Sequence, residues 1–228
     1  MQASSRRLEL KRPLSWLVPL LLAACQSSPA QLYVLSSQTA ARQNAGSAQL
    51  VDAAGRDLLR PTYSGKLVAT LGVAVTVPEY LDRLDIVERA GANELKPSNK
   101  AQWGESLSVD ATRVVVEDLE ALLPSANVVI LPSRARRSLD YEVDINLIRF
   151  EGDASGNSVM AGEWTISASD DHELASGRFM RREPIAGTGF SEMAAAMSRN
   201  LAAVSADLAA AFKQLAPSPR SKKQSRKS

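Results

Sequence analysis

The sequence predicts an α/β (α+β) fold: a single domain in which a mixed β-sheet is packed by two long amphipathic helices. Three observations carry this. Apolar residues recur at helical spacing over 105–123 and again over 191–215. β-branched runs and strict polar–apolar alternation mark strands before and between those two stretches. The order strands, helix, strands, helix is that of a layered body with a mixed sheet.

Each element has its own signal. Leu32–Leu35 (LYVL) is a short apolar strand candidate, and the Ala-, Ser-, Gln- and Gly-rich residues 36–60 read as loop with a short helix. Lys66–Val77 is rich in β-branched and small residues between Gly65 and Pro78, as a buried strand is. Asp85–Arg89 is a brief strand, and the stretch from Pro78 to Leu107 is otherwise broken by Gly91, Pro97 and Gly104. Over Glu105–Leu123, Leu107, Ala111, Val114, Val115 and Leu122 share one helical face, and Pro124 ends the helix. Asn127–Leu131 is a short buried strand closed by Pro132. Tyr141, Val143, Ile145 and Leu147 alternate with Glu142, Asp144 and Asn146, the pattern of a half-buried strand. Turns at 152–157 and 170–172 join it to strands over Val159–Ala168 and Leu174–Arg181, a meander. In the last helix, Met193, Met197, Leu201, Val204, Leu208, Phe212 and Leu215 are spaced by three or four, with Ser191 placed to cap it and Glu192 in its first turn. Pro217 and Pro219 stop it, and a Ser/Lys/Arg tail over 216–228 has the composition of a disordered segment.

The 228 residues suit one globular domain with extensions. The formal charge of +2 hides an uneven distribution. Four basic residues crowd into 1–24 and five into the tail, so that residues 25–215 carry 18 basic against 24 acidic side chains. A body of net charge about −6 argues against nucleic acid as its main partner.

Arg6, Arg7, Lys11 and Arg12 form a positive start, followed by an eleven-residue apolar run, Leu14–Ala24, containing Pro19. A membrane-spanning helix needs about 20 such residues, so the run reads as the core of a signal peptide over 1–24. It ends in Leu22-Ala23-Ala24-Cys25, which resembles the lipobox of bacterial lipoproteins. That resemblance implies a diacylglycerol thioether on Cys25, cleavage before it and acylation of the new amine. An ordinary secretory signal would leave a lone reactive thiol instead. Residues 25–30 would be a lipidated tether and 31–215 the folded domain. Residue 26 is Gln, not the Asp that retains enteric lipoproteins in the inner membrane, so the resemblance implies the outer membrane, with the domain in the periplasm. Each buried methylene of such a lipid adds about 0.8 kcal/mol to anchoring.

Little in the chain promises catalysis. The one histidine, His172, sits in an acidic turn between strands, where side chains are usually solvated. Glu142 and Asp144 lie two apart on one strand face; the arrangement suits an acid/base pair and equally the polar side of a half-buried strand. Neither a phosphate-cradling glycine motif nor a zinc-ligand pattern is present, and no cofactor is expected. The Met and Ala stripe of the last helix reads as core or as a partner seam, and the five basic tail residues as a solubilising tail or a contact to anionic lipid, worth about 1 kcal/mol per residue near a membrane surface.

One stretch is more specific. Val77-Pro78-Glu79-Tyr80-Leu81-Asp82-Arg83, then Ile86-Val87-Glu88-Arg89, then Asn93, Leu95 and Gln102-Trp103-Gly104-Glu105-Ser106-Leu107, resembles the paraquat-inducible protein C (PqiC/YmbA) family of auxiliary lipoproteins. Leu32–Leu35 and Met193–Leu201 resemble that family's first strand and last helix. Leu84 stands where the family often has Pro, and Gln102 where it often has Arg. The resemblance implies a fold similar to the amino-terminal domain of the Tol-system propeller protein (TolB) and to anticodon-binding-like folds. It implies a non-enzymatic subunit of an MCE/ABC-type lipid transport system that maintains the envelope. Its partners would be an MCE-domain (PqiB-like) periplasm-spanning protein and its inner-membrane transporter, with further copies of itself as an additional association. A lipid-tethered periplasmic hydrolase and a purely structural envelope lipoprotein are the alternatives. Within 78–107, Tyr80, Arg83, Arg89 and Trp103 are of the types enriched at interface hot spots, and are the expected docking residues. The competing expectation is that Tyr80 and Trp103 plug the sheet edge while Asp82 and Arg83 pair locally.

Overall fold

The computed structural model describes residues 29–39, 69–132 and 139–215. The expected signal peptide, Cys25, most of the tether, the loop and short helix over 40–60, the first residues of the strand expected from Lys66 and the basic tail lie outside the described residues. Among the described residues the order is β1 (Gln31–Tyr33), β2 (Ala69–Thr76), β3 (Asp85–Gly91), β4 (Glu94–Trp103), α1 (Leu107–Leu122), β5 (Ala126–Ile130), β6 (Tyr141–Asp153), β7 (Asn157–Ala168), β8 (Glu173–Pro184) and α2 (Phe190–Leu215). This is the mixed α/β domain with two long helices that the periodicity predicts.

The strands form one mixed sheet in the order β1-β4-β3-β6-β2-β5, with β7 also on β6 and β8 outside β7. β6 is its hub. Its first half, Tyr141–Asn146, runs parallel to β2, and its last residues, Gly152 and Asp153, run parallel to β3. β7 runs antiparallel along β6 from Tyr141 to Gly152, and β8 continues the meander. Both helices pack on one face: α1 on β2 and β5, α2 on β6, β7 and β8, and the two on each other. Along β8 the residues alternate half-buried and exposed, so the opposite face is open to solvent there.

The apolar stripes of both helices do what their spacing predicts. Leu107, Ala111, Val114 and Val115 of α1 are buried, as are Met193, Met197, Leu201, Val204, Leu208 and Phe212 of α2. Each such Leu, Val, Met or Phe side chain contributes roughly 1.5–3 kcal/mol of burial. Phe212 meets Tyr141 edge-on at 5.1 Å, tying the end of α2 to the start of β6. Ser106 precedes α1 with extended backbone but makes no side-chain capping bond. α2 begins at Phe190, one residue before the expected Ser191 cap.

Two strands differ from expectation. The irregular stretch after Asp85–Arg89 is in fact a hairpin, in which β3 pairs antiparallel with β4. Its pattern is masked because most of β4 is exposed and Pro97 lies within it. Pro97 pairs inward with Val87, while β1 reaches β4 only at Ala101–Trp103. At Pro97 β4 is therefore an outer edge among the described residues, where a strand tolerates proline. β6 is also longer than its alternation, which ends at Leu147. Leu147 pairs with Gly162 and Arg149 with Ala161, leaving Ile148 as the extra residue of a bulge, 61% exposed. A bulge shifts the inward phase by one, so Phe150, not Arg149, returns to the core.

Gly162 serves that bulge. A Cβ there would run into the backbone carbonyl of Asn146, an atom that cannot swing away. Gly162→Ala is expected to destabilise the domain by about 1–3 kcal/mol, the usual cost of overpacking. A denaturant melt measures it, and an unchanged midpoint would show that the β6–β7 bulge relaxes freely.

Candidate partner-docking site

The segment 78–107 forms a turn, a hairpin and the entry to α1. Leu81 and Asp82 both donate their N–H to the Pro78 carbonyl, at 2.8 and 3.2 Å, and Leu81 is buried. This tight turn aims Tyr80 at the end of β6. There the Tyr80 hydroxyl donates to Glu151 Oε2 at 3.0 Å, and Arg89 Nε of β3 donates to Oε1 at 2.8 Å. Arg149 Nε, from β6 itself, donates to the same Oε1 at 2.9 Å. The backbone N–H of Phe150 adds a fourth bond, to Oε2 at 3.0 Å. Glu151 is fully buried, whereas the Arg89 and Arg149 side chains keep 22% and 29% of their surface. The Arg89 guanidinium also lies 6.0 Å from the centre of the Tyr80 ring.

The electrostatics follow from that geometry. Burial pushes the Glu151 carboxyl up, but the hydrogen bonds from Arg89, Arg149 and Tyr80 outweigh it and hold the group below its ordinary value. Burial, then the Glu151 charge, raises the Tyr80 hydroxyl. The bond to Glu151 raises Arg89 further. The group is a buried carboxylate saturated by donors, with two arginines against one acid.

Of the four residues expected to dock, the structure brings Tyr80 and Arg89 together and sets the other two apart. Arg83 is 47% exposed and pairs with Asp85 at 2.9 Å, not with Asp82, which instead accepts from Ser108. Gln102 donates to the other Asp85 oxygen at 3.0 Å, and with Arg83 holds that carboxyl low. Trp103 is 3% exposed and belongs to the core, where it pairs with Tyr33 of β1. A side chain so enclosed has little surface to offer a partner, so Trp103 answers to the edge-plugging expectation. Glu151 and Arg149, the centre of the cluster, escape a reading by periodicity because they lie past the bulge. The available signal was an Arg and a Glu flanking Phe150, between the end of the alternation at Leu147 and the turn expected at 152–157.

A second polar device sits under the amino-terminal segment. Asp110 and Asp118, eight residues apart on the buried face of α1, are both fully buried. The Leu35 N–H donates to Asp110 at 2.6 Å; the Ser37 hydroxyl and Thr39 N–H donate to Asp118 at 2.6 and 3.1 Å. Arg113 pairs with Asp110 and donates to the Leu35 carbonyl at 2.9 Å, and Ser198 of α2 accepts from the Ser36 N–H at 3.0 Å. The segment that follows the tether is thus clamped to both helices.

His172 is exposed in the turn between β7 and β8, its N–H on Asp170 at 3.3 Å. Glu142 is half-buried and Asp144 exposed on β6. Among the described residues no group of three or more His, Cys, Asp or Glu side chains is arranged to hold a metal, and no helix is long and apolar enough to cross a membrane.

The fold is thus a mixed α/β sheet with both helices on one face, a buried glutamate held by two arginines and a clamped amino-terminal segment. The chain belongs to the family of ABC-type transport auxiliary lipoprotein components, whose profile matches residues 61–209. Two crystal structures share the fold. A DUF330-family protein from Xanthomonas campestris is 20% identical, with a TM-score of 0.58 over 83% of this chain and 100% of that one. An uncharacterized protein is 21% identical, with a TM-score of 0.57 over 65% of this chain and 94% of that one. No curated protein matches the chain. Membership makes this chain an auxiliary lipoprotein component of ABC-type transport, associated with the envelope and working with other transporter components.

Proposed function

We propose that this protein is an outer-membrane lipoprotein that acts as a non-enzymatic docking subunit of an MCE/ABC-type lipid transport system. Cys25 carries the anchor, and the body docks an MCE-domain, PqiB-like protein that spans the periplasm to its inner-membrane transporter. The observation that carries the proposal is the family match over 61–209, which spans the whole hairpin and the Glu151 cluster. Tyr80, Arg89 and the exposed Arg83 are the docking residues of this reading, because Tyr and Arg are enriched among the residues that carry most of the binding energy at interfaces. The anchor and the body are close. Gln31 lies six positions after Cys25, a reach of about 20 Å at full extension. With residues 35–39 clamped by Asp110 and Asp118, such a tether would keep the amino-terminal edge of the sheet beside the membrane.

Two measurements test it. Cys25→Ser is expected to accumulate as an uncleaved precursor that incorporates no lipid label; a variant of mature length in the membrane fraction would remove Cys25 as the anchor. Affinity purification of the lipidated protein from detergent-solubilised membranes is expected to co-purify the MCE-domain protein, and its consistent absence would end the docking reading.

A further inference from the structure

We propose that Arg89 and Arg149, seated on the buried Glu151, form an anchor for a carboxylate in an acidic segment of the partner protein. The inference rests on the docking function proposed above and names the chemistry by which docking is achieved. Both guanidinium groups spend their Nε–H on a single oxygen, Glu151 Oε1, at 2.8 and 2.9 Å. Neither arginine spends a terminal nitrogen on an acid among the described residues. The terminal nitrogens of Arg89 reach only the Ala92 carbonyl and the Tyr80 hydroxyl, each at 3.4 Å, and Arg149 makes no bond beyond its Nε among the described residues. One buried acid against two arginines leaves an excess positive charge. Asp153, the next acid along β6, is occupied by Arg182 at 3.0 Å. A guanidinium fixed by its Nε presents its remaining N–H pair in the fork geometry that matches a carboxylate.

The surroundings favour a protein over a lipid phosphate. On the open sheet face Arg149, Ala161 and Met180 lie opposite one another on β6, β7 and β8, with Ile148 at the bulge. Ile148 is 61% exposed and Met180 69%. Ala161 between them is buried, so Ile148 and Met180 are the apolar side chains this sheet face presents beside the arginines. A groove among the described residues runs beside Trp164, Phe179 and Asp207 and reaches Met180, but includes neither Ile148 nor Arg149. Exposed apolar side chains with arginine anchors suit a protein surface, whereas an acyl chain needs a cleft.

The probe is an acetylated, amidated tetraglutamate peptide, titrated into the full lipidated protein in neutral detergent, with the arginine Nε–Hε signals followed by NMR. Saturable shifts of the Arg89 and Arg149 signals are expected, abolished in Arg149→Gln. They should persist in Arg178→Gln, which removes a 90% exposed arginine from the same face. Equal responses in both variants would reduce the site to diffuse surface charge and overturn the proposal. A response to phosphatidylglycerol vesicles but not to the peptide would overturn it in favour of a lipid phosphate. Capture of the MCE-domain protein from membranes should fall about tenfold or more in Arg149→Gln. Ile148→Ser, altering a side chain outside the core, should weaken capture without touching the fold or the peptide response. Undiminished capture by both variants refutes the anchor and leaves the docking function standing. No capture by the wild type refutes the docking function, and the peptide titration then decides the anchor alone.

Discussion

Trp103→Ala should lower the folding free energy by about 3–5 kcal/mol, the cost of emptying a buried large aromatic site. That is a large share of the roughly 5–15 kcal/mol available to a domain. The indole is 3% exposed at the end of β4, and the Trp103 N–H donates to the Leu84 carbonyl at 2.7 Å, closing the hairpin. The same residue pairs with Tyr33, so the cavity would open where β1 joins the sheet. Loosening of β1 should accompany the loss, visible as faster amide exchange at Gly104, whose N–H donates to the Tyr33 carbonyl at 2.8 Å. A denaturant melt gives the energy. Partner capture well below the melting midpoint should stay at the wild-type level, because the indole is inside. Unchanged stability with lost capture would return Trp103 to the docking surface.

Removing the carboxylate of Glu151 is expected to cost about 3 kcal/mol. Breaking one side of a buried ion pair typically costs about 3–5 kcal/mol. Here the lower end applies, because Arg89 and Arg149 keep part of their surface in water and can hydrate. The variant Glu151→Ala also changes how stability depends on pH. In the folded chain the Glu151 carboxyl sits below its ordinary value. Unfolded, a glutamate titrates near pH ~4.3. Its contribution is thus complete above that pH and is lost as the pH falls through the folded value. The wild type should therefore weaken steeply on acidification below about pH 4.3, and Glu151→Ala should weaken much less steeply. Asp85, also held low but only half-buried, adds a smaller effect of the same sign, so the acid limb flattens in the variant without vanishing. Thermal midpoints from pH 7 down to acid denaturation measure this, and parallel curves for the two proteins would show that the cluster is not what acid breaks.

Both results bear on the same division of labour. The hairpin carries a core plug, Trp103, and one arginine of the Glu151 cluster, Arg89, five positions before the start of β4, and a single sequence motif contains both. Residue type alone grouped Tyr80, Arg83, Arg89 and Trp103 as one docking set. Burial separates them into an enclosed indole, a locally paired Arg83 and a Tyr80–Arg89 pair organised by an acid elsewhere in the chain.

Periodicity in the residues specified two helices, expected over 105–123 and 191–215 and found at 107–122 and 190–215, together with the meander after Tyr141 and the mixed α/β class. Each of these elements buries one regular face, and a single buried face writes its own period into the residues that form it. It did not determine β4, whose exposed residues have no buried face to alternate with, or the end of β6, where the Ile148 bulge shifts the phase. Nor did it determine that β6 would join β2 and β3, or that Glu151 would gather Tyr80 and Arg89 from 71 and 62 residues away. Those are decisions of the tertiary structure. A buried carboxylate must find donors wherever packing brings them, and the energy of leaving it unpaired depends on neighbours in space that no local period records.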